Sequence, residues 1–224
     1  IHTVVVMSSA QVGKTEVLLN LIGFHVGQDP APILVVQPSL EMAEAFSKDR
    51  VAPMVRDTPT LTRKIAPVKS RDSGNTILHK GFPGGHLTMV GANSPSGLAS
   101  RPIRIVLADE VDRYDESAGT EGDPVNLAVK RTTTFWNRKV VLVSTPGIKG
   151  LSRIERAYSG SDKRCFHVPC PDCGHEQHLR WTQVHWSKDE DRHRPETAHY
   201  ACEECGSLWN DVQRWTAVRK GQWV

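Results

Sequence analysis

Val4-Val5-Val6-Met7-Ser8-Ser9-Ala10-Gln11-Val12-Gly13-Lys14-Thr15-Glu16-Val17-Leu18-Leu19 decides the fold. A β-branched run ends in small residues, and the chain then turns to helical spacing, with Leu18, Leu21 and Ile22 on one face. Strand, loop, helix is the order that a phosphate-binding loop requires. Ser8 to Thr15 matches G-x-x-x-x-G-K-[ST] except that Ser8 stands at the first glycine. Small residues there let successive backbone N–H groups wrap phosphate oxygens. Lys14 neutralises the β and γ phosphates, and Thr15 offers its hydroxyl to Mg²⁺. The helix that follows points its positive end at the same place. Ser8, Ser9, Ala10, Gln11, Val12, Gly13, Lys14 and Thr15 are therefore expected to hold ATP and Mg²⁺. A chance Gly-Lys-Thr tripeptide is the alternative, and the flanking strand and helix weigh against it.

Outward from this loop the pattern alternates. Pro30 and Pro32 break the chain, Ile33 to Val36 is a predicted buried strand, and Ser39 opens a helix carrying Met42, Ala43, Phe46 and Val51. Thr58 to Ala99 is rich in Gly, Pro, Ser and basic residues, with weaker strands at Thr76 to His79 and Leu87 to Val90. Two apolar strands follow, Ile103 to Leu107 and Val140 to Ser144, with a helix predicted over Pro124 to Trp136 between them. The βαβα order predicts an α/β fold with a parallel sheet sandwiched by helices. The expected class is a P-loop NTPase of the ASCE type, with an extra strand between its two nucleotide motifs. Beyond about Gly150 the sequence becomes polar, Trp-rich and Cys-bearing, which places a boundary between residues 1–160 and 161–224.

The second motif is the end of Ile103-Arg104-Ile105-Val106-Leu107-Ala108-Asp109-Glu110. In an open parallel sheet the ligand crevice lies at the carboxyl ends of the strands, where the phosphate loop also sits. Asp109 is then expected to organise Mg²⁺ and Glu110 to orient and deprotonate the attacking water. An acid-rich helix start, with Asp112, Asp115 and Glu116 nearby, is the alternative reading. Thr145, after the Val140 strand, is placed to touch the γ-phosphate or the water, or to cap the strand end before Pro146-Gly147.

Cys170-Pro-Asp-Cys173-Gly174 and Cys202-Glu-Glu-Cys205-Gly206 form two similar knuckles. Each pair sets two thiolates on one side of a tight turn, and four complete a tetrahedral Zn²⁺ site with no open position, hence a structural one in a zinc-ribbon-like element. A redox C-x-x-C fits one pair at most. Trp181, Trp186, Trp209 and Trp215 are expected to form the core of that element, while Arg180, Arg192 and Arg194 leave DNA contact open.

With 28 Lys and Arg against 25 Asp and Glu, the net charge is only +3 in 224 residues, so polyanion binding must come from local patches. No run approaches the roughly 18 apolar residues of a membrane span, and the first residues lack a signal peptide, which favours a protein free in the cytoplasm. Ile1 leads almost at once into a strand, as in a piece of a longer protein.

Ser8 to Thr15, Leu107 to Glu110 and Val143 to Pro146 together resemble the ATPase domain of the large terminase subunit of tailed phages. Gln11 to Glu16, Val35 to Pro38, Ala108 to Asp112 and Arg131 to Thr145 followed by a C-P-x-C-G knuckle resemble its lambda gpA-like branch. The resemblance implies an ATP-driven motor that packs double-stranded DNA into a procapsid through the portal, with a small terminase subunit, as a homo-oligomeric ring in the host cytoplasm. It also implies a nuclease domain in the full-length protein, for which no stretch up to Val224 is a match. Related motors use an arginine, sometimes from a neighbouring subunit. Arg101 is the candidate by position, with Arg104, Lys130 and Arg131 as rivals. A helicase-like remodelling ATPase and a non-catalytic zinc-ribbon DNA-binding module are the other readings.

Overall fold

The computed structural model describes residues 2–66, 74–190 and 192–224. Part of the Gly-, Pro- and Ser-rich stretch, residues 67–73, lies outside them. The chain divides into two compact units, Ile1–Ser161 and Asp162–Val224.

The first unit runs β1 (Thr3–Met7), α1 (Lys14–Gly27), β2 (Pro32–Gln37), α2 (Leu40–Phe46), a π-helical turn (Ser47–Val51), α3 (Ala52–Asp57), α4 (Pro59–Thr62), β3 (His79–Phe82), β4 (Gly85–Gly91), α5 (Pro95–Ala99), β5 (Ile105–Asp109), α6 (Pro124–Lys130), β6 (Lys139–Ser144) and α7 (Arg153–Ser159). Its six strands form one sheet in the order β1-β6-β5-β2-β4-β3. All neighbours are parallel except the β3–β4 hairpin at one edge. β6 therefore lies between β1, which leads into the phosphate loop, and β5, which ends at Asp109.

Both faces of the sheet are covered, and the strands divide their side chains between them. Ile33 and Val35 of β2 pack with Leu18, Ile22 and Val26 of α1 and with Phe46 of α2. Leu34 and Val36, pointing the other way, pack with Leu98 of α5, Leu127 and Ala128 of α6 and Ile154 of α7. Burial on both sides is why these strands are continuous apolar runs rather than alternating ones.

Two expected elements shift. The strand foreseen at Thr76 to His79 begins only at His79, where pairing with Thr88 starts, because Thr76 N–H bonds the His79 carbonyl and makes a turn. The helix foreseen from Pro124 to Trp136 stops at Lys130. There the Thr132 and Thr133 hydroxyls donate back to the Val129 and Lys130 carbonyls at 2.7 and 3.0 Å, competing with helix continuation.

The second unit comprises β7 (Phe166–Pro169), β8 (Glu176–His178), β9 (Val184–Asp189), β10 (Arg192–Ala201), β11 (Leu208–Trp209), α8 (Asp211–Arg219) and β12 (Gln222–Trp223), arranged as two three-stranded sheets. Its core is small: Val168, Cys170, Tyr200, Cys202, Trp209 and Ala217. The four-tryptophan core expected from sequence is not formed. Trp209 is 1% exposed, but Trp181 is 75% and Trp215 56% exposed. Trp181 instead lies against Trp186, and Trp215 carries the Arg214 guanidinium over its ring.

Candidate active site

Parallel pairing brings four strand ends to one edge. The register sets Met7 opposite Ser144, Asp109 opposite Val143 and Val36 opposite Ala108, so the residues that follow β1, β2, β5 and β6 converge. Out of β1 the loop Ser8 to Gly13 leads into α1. Its left-handed backbone positions fall at Gln11 (φ 59°) and at Gly13 (φ 81°), the residue that caps the helix. Ser8 has no positive φ, which is why a side chain is tolerated where the motif has glycine. Its N–H donates to the Ser144 carbonyl at 3.3 Å.

Lys14 opens α1 and is 8% exposed. Its Nζ donates to Thr145 Oγ1 at 2.8 Å and lies 3.1 Å from Glu110 Oε1. Phosphate loop, acidic strand end and Thr145 thus share one crevice. Glu110 takes φ 53°, a strained choice for a residue with a Cβ and one that concentrates at functional sites. Beside it Asp109 is 4% exposed, accepts a hydrogen bond from Gln37 Nε2 at 3.2 Å on Oδ2, and has a buried Oδ1 with no partner among the described residues. Burial pushes the Asp109 carboxyl above the usual carboxylate range, opposed by the Gln37 bond and Lys14 and reinforced by the Glu110 charge. A buried carboxylate with one oxygen unpartnered, at the strand end beside Glu110, suits a hard divalent cation, so the residues fit Mg²⁺.

Three supports were not identified from sequence. Gln37 positions Asp109. Tyr114 donates its hydroxyl to the Val36 carbonyl at 2.7 Å, and complete burial raises its pKa well above that of an ordinary phenol. Asp112 accepts from Gly147 N–H and Ile154 N–H, both at 2.8 Å, and its own N–H donates to Ser144 Oγ at 3.2 Å. Burial resists ionisation of Asp112, but bonds from Ser152, Ile154 and Gly147 outweigh it and hold the carboxyl below its ordinary value. Asp112 thereby ties the turn after Glu110 to the segment after Thr145.

Residues 1–223 match the family described as phage terminase large subunit gpA, ATPase domain. The chain belongs to that family. The large terminase subunit of Enterobacteria phage P21 is 31% identical over 100% of this chain and 36% of its own length. That of Escherichia phage lambda is 30% identical over 91% of this chain and 32% of its own. The chain thus spans about a third of the length of these relatives. The ATPase domain of the large terminase from Thermus phage P74-26 is 16% identical, with a TM-score of 0.45 covering 66% of this chain and 62% of that one, too loose a likeness to bear on the site.

In this terminase ATPase domain Arg101 does not join the crevice. It follows α5 and precedes β5, at the edge where the strands begin, and its charge acts on His79 and His86. β5 alone, from Ile105 to Asp109, covers about 13 Å, and Arg101 lies before its start. Arg104 is held at the same edge by Asp29, and Lys130 and Arg131 line a cavity there together with Arg101. Within one chain, Arg101 and its rivals Arg104, Lys130 and Arg131 thus lie at the edge where the strands begin.

Four of the five cysteines of the second unit come together. One sulfur from each of Cys170, Cys173, Cys202 and Cys205 lies within 4.8 Å of all the others. The Cys170–Cys205 and Cys173–Cys202 Sγ pairs are each 3.8 Å apart. With Zn–S near 2.3 Å, a tetrahedral site has S···S edges of about 3.8 Å, so the donors fit Zn²⁺. Gly174 (φ 75°) and Gly206 (φ 70°) give the left-handed turn that each knuckle needs.

Proposed function

We propose that this chain hydrolyses ATP at the crevice of Lys14, Asp109, Glu110 and Thr145, and that the full-length protein uses the energy to move double-stranded DNA into a procapsid. The observation that carries the reading is the Lys14 ammonium group lying within 3.1 Å of Glu110 and 2.8 Å of Thr145, beside the buried Asp109. Residues 1–160 act as the P-loop ATPase domain and 161–224 as a zinc-ribbon-like element.

Ser8 to Gly13 present backbone N–H groups to the phosphates, and Lys14 neutralises the β and γ oxygens when it exchanges its present partners for ATP. Thr15 and Asp109 hold Mg²⁺, which when bound offsets charge on the transferring group. Releasing Glu110 from Lys14 frees its carboxylate to take a proton from the attacking water, and Thr145 stands ready to orient that water or a γ oxygen. Gln37 keeps Asp109 in place. Cys170, Cys173, Cys202 and Cys205 hold Zn²⁺ structurally. The small terminase subunit, the portal and further copies in a ring are the expected partners, in the host cytoplasm, and cutting of DNA belongs to the nuclease domain of the full-length protein.

Glu110→Gln is expected to lower ATP turnover about 10²- to 10⁴-fold with MgATP still bound, whereas Lys14→Ala loses binding as well. Turnover is read by phosphate release and binding by nucleotide titration, with and without portal. Glu110→Gln turning over at the wild-type rate would sink the assignment. Duplex unwinding without portal stimulation would favour a helicase-like enzyme.

A further inference from the structure

The edge where the strands begin differs in chemistry from the edge that holds the nucleotide crevice. His2 precedes β1, Arg104 precedes β5, Arg138 precedes β6 and Lys139 starts it. Asp29, ahead of β2, is already paired with Arg104 and His25. At this edge the C-terminal ends of α5 and α6 border an open cavity of about 190 Å³, whose polar lining is Ser100, Arg101, Lys130, Arg131, Thr133 and Thr134 beside Ala99 and Pro102. The Ile103 N–H bond to the Arg131 carbonyl, 3.0 Å, fastens the segment after Arg101 to the end of α6.

Three cations and the hydroxyls of Ser100 and Thr134 face this space, the Thr133 hydroxyl being given to the Lys130 carbonyl, and no carboxylate lines it. Among the described residues, neither Arg101, Lys130 nor Arg131 enters an ion pair, and Arg131 Nε is buried without a hydrogen-bond partner. Burial, and after it the Arg101 charge, lowers the pKa of His79, and the same two causes act on His86 together with His79 itself. Like charges gathered without a counter-ion repel each other, and guanidinium forks with hydroxyl donors match the oxygens of a phosphate group. We infer that this cavity is an anion site for a phosphate group, separate from the nucleotide crevice and at the opposite edge of the sheet. The choice of ligand rests on the proposed motor on DNA: the phosphate is a backbone phosphodiester of duplex DNA or free inorganic phosphate.

Arg101, Lys130 and Thr133 are exposed, so their replacement leaves the core untouched. Wild type, Arg101→Glu, Lys130→Glu and Thr133→Glu would be titrated with a short labelled duplex across a salt series, and with inorganic phosphate by calorimetry, with MgATP binding as the check on folding. A backbone site predicts about tenfold or greater loss of duplex affinity in each of the three variants. The slope of log affinity against log salt should fall by about one per cation lost. A free-phosphate site predicts phosphate binding to wild type that the variants lack, with duplex affinity unchanged; either result upholds the cavity. Variants that bind both ligands as wild type does, or a wild type that binds neither, overturn it. A wild type without ATP turnover whose duplex or phosphate binding still depends on Arg101 and Lys130 overturns the motor reading and leaves the cavity standing.

Discussion

Asp109 shows how function sets a local cost. Every residue of β5 is buried, and so is the carboxylate that ends it. Because burial raises its pKa, the folded state binds the proton more tightly than the unfolded one. Between the ordinary carboxylate value and the raised folded value, the native state therefore carries more protons, and stability falls as pH rises through that window. Asp109→Asn removes the ionised group. It is expected to raise Tm at pH 7 to 8 without Mg²⁺, by about 2–4 °C for each kcal/mol relieved, with the gain shrinking as the pH is lowered through the window. The same variant should lose Mg²⁺-dependent ATP turnover. Thermal melts across pH check it, and an Asp109→Asn protein less stable than wild type at pH 8 would show that burial is not the dominant influence. Lys14, Asp109, Glu110 and Thr145 were legible in sequence because each stands at a strand end or loop whose local pattern announces it. Gln37 and Asp112 were not, since their roles depend on partners 72 residues away in Asp109 and 35 away in Gly147.

At the scale of elements, the approach to α1 depends on backbone shape. A Cβ added at Gly13 would meet nothing within 4 Å, so its φ of 81° alone penalises a side chain there. Gly13→Ala is expected to cost about 1–2 kcal/mol, read by chemical denaturation, and to weaken MgATP binding as the loop relaxes toward negative φ. Wild-type stability and nucleotide affinity in Gly13→Ala would mean that the loop adopts another shape. The helix opened by Ser39 was legible because its hydroxyl caps Met42 N–H and its apolar positions recur at helical spacing. Its widened π turn, Ser47–Val51, was not. Pro53 lies just beyond, lacks an N–H and would press its ring on the Asp49 carbonyl in a regular α-helix, so the chain widens ahead of it. The π turn also carries Arg50, which pairs with Glu16 in the first turn of α1. Periodicity registers an apolar face, but not the change of helical pitch within it.

The two units of the molecule hold together on different terms, and this difference can be measured. Ile1–Ser161 has large apolar clusters on both faces of its sheet, whereas Asp162–Val224 relies on a core in which two of the six buried residues, Cys170 and Cys202, belong to the sulfur cluster. Burial resists ionisation of Cys202, but the N–H groups of Cys205 and Glu204, then Gln177 and the Cys170 thiol, outweigh it and bring its thiol down to about 6, in reach of the thiolate that metal binding requires. With so few buried side chains, a unit that holds Zn²⁺ as proposed would be stabilised chiefly by that metal. Removing Zn²⁺ with a chelator is therefore expected to unfold the second unit and leave MgATP binding by the first in place. Of the six tryptophans only Trp136 lies in the first unit, and it is already 88% exposed. Trp209, 1% exposed, then dominates any red shift of emission on chelation. That shift should reverse when Zn²⁺ is restored, and Cys173→Ser should reproduce it without chelator. Emission unmoved by complete metal removal would mean that Trp209 and Tyr200 hold the ribbon by packing alone, whereas loss of MgATP binding in the same experiment would mean that the units fold as one.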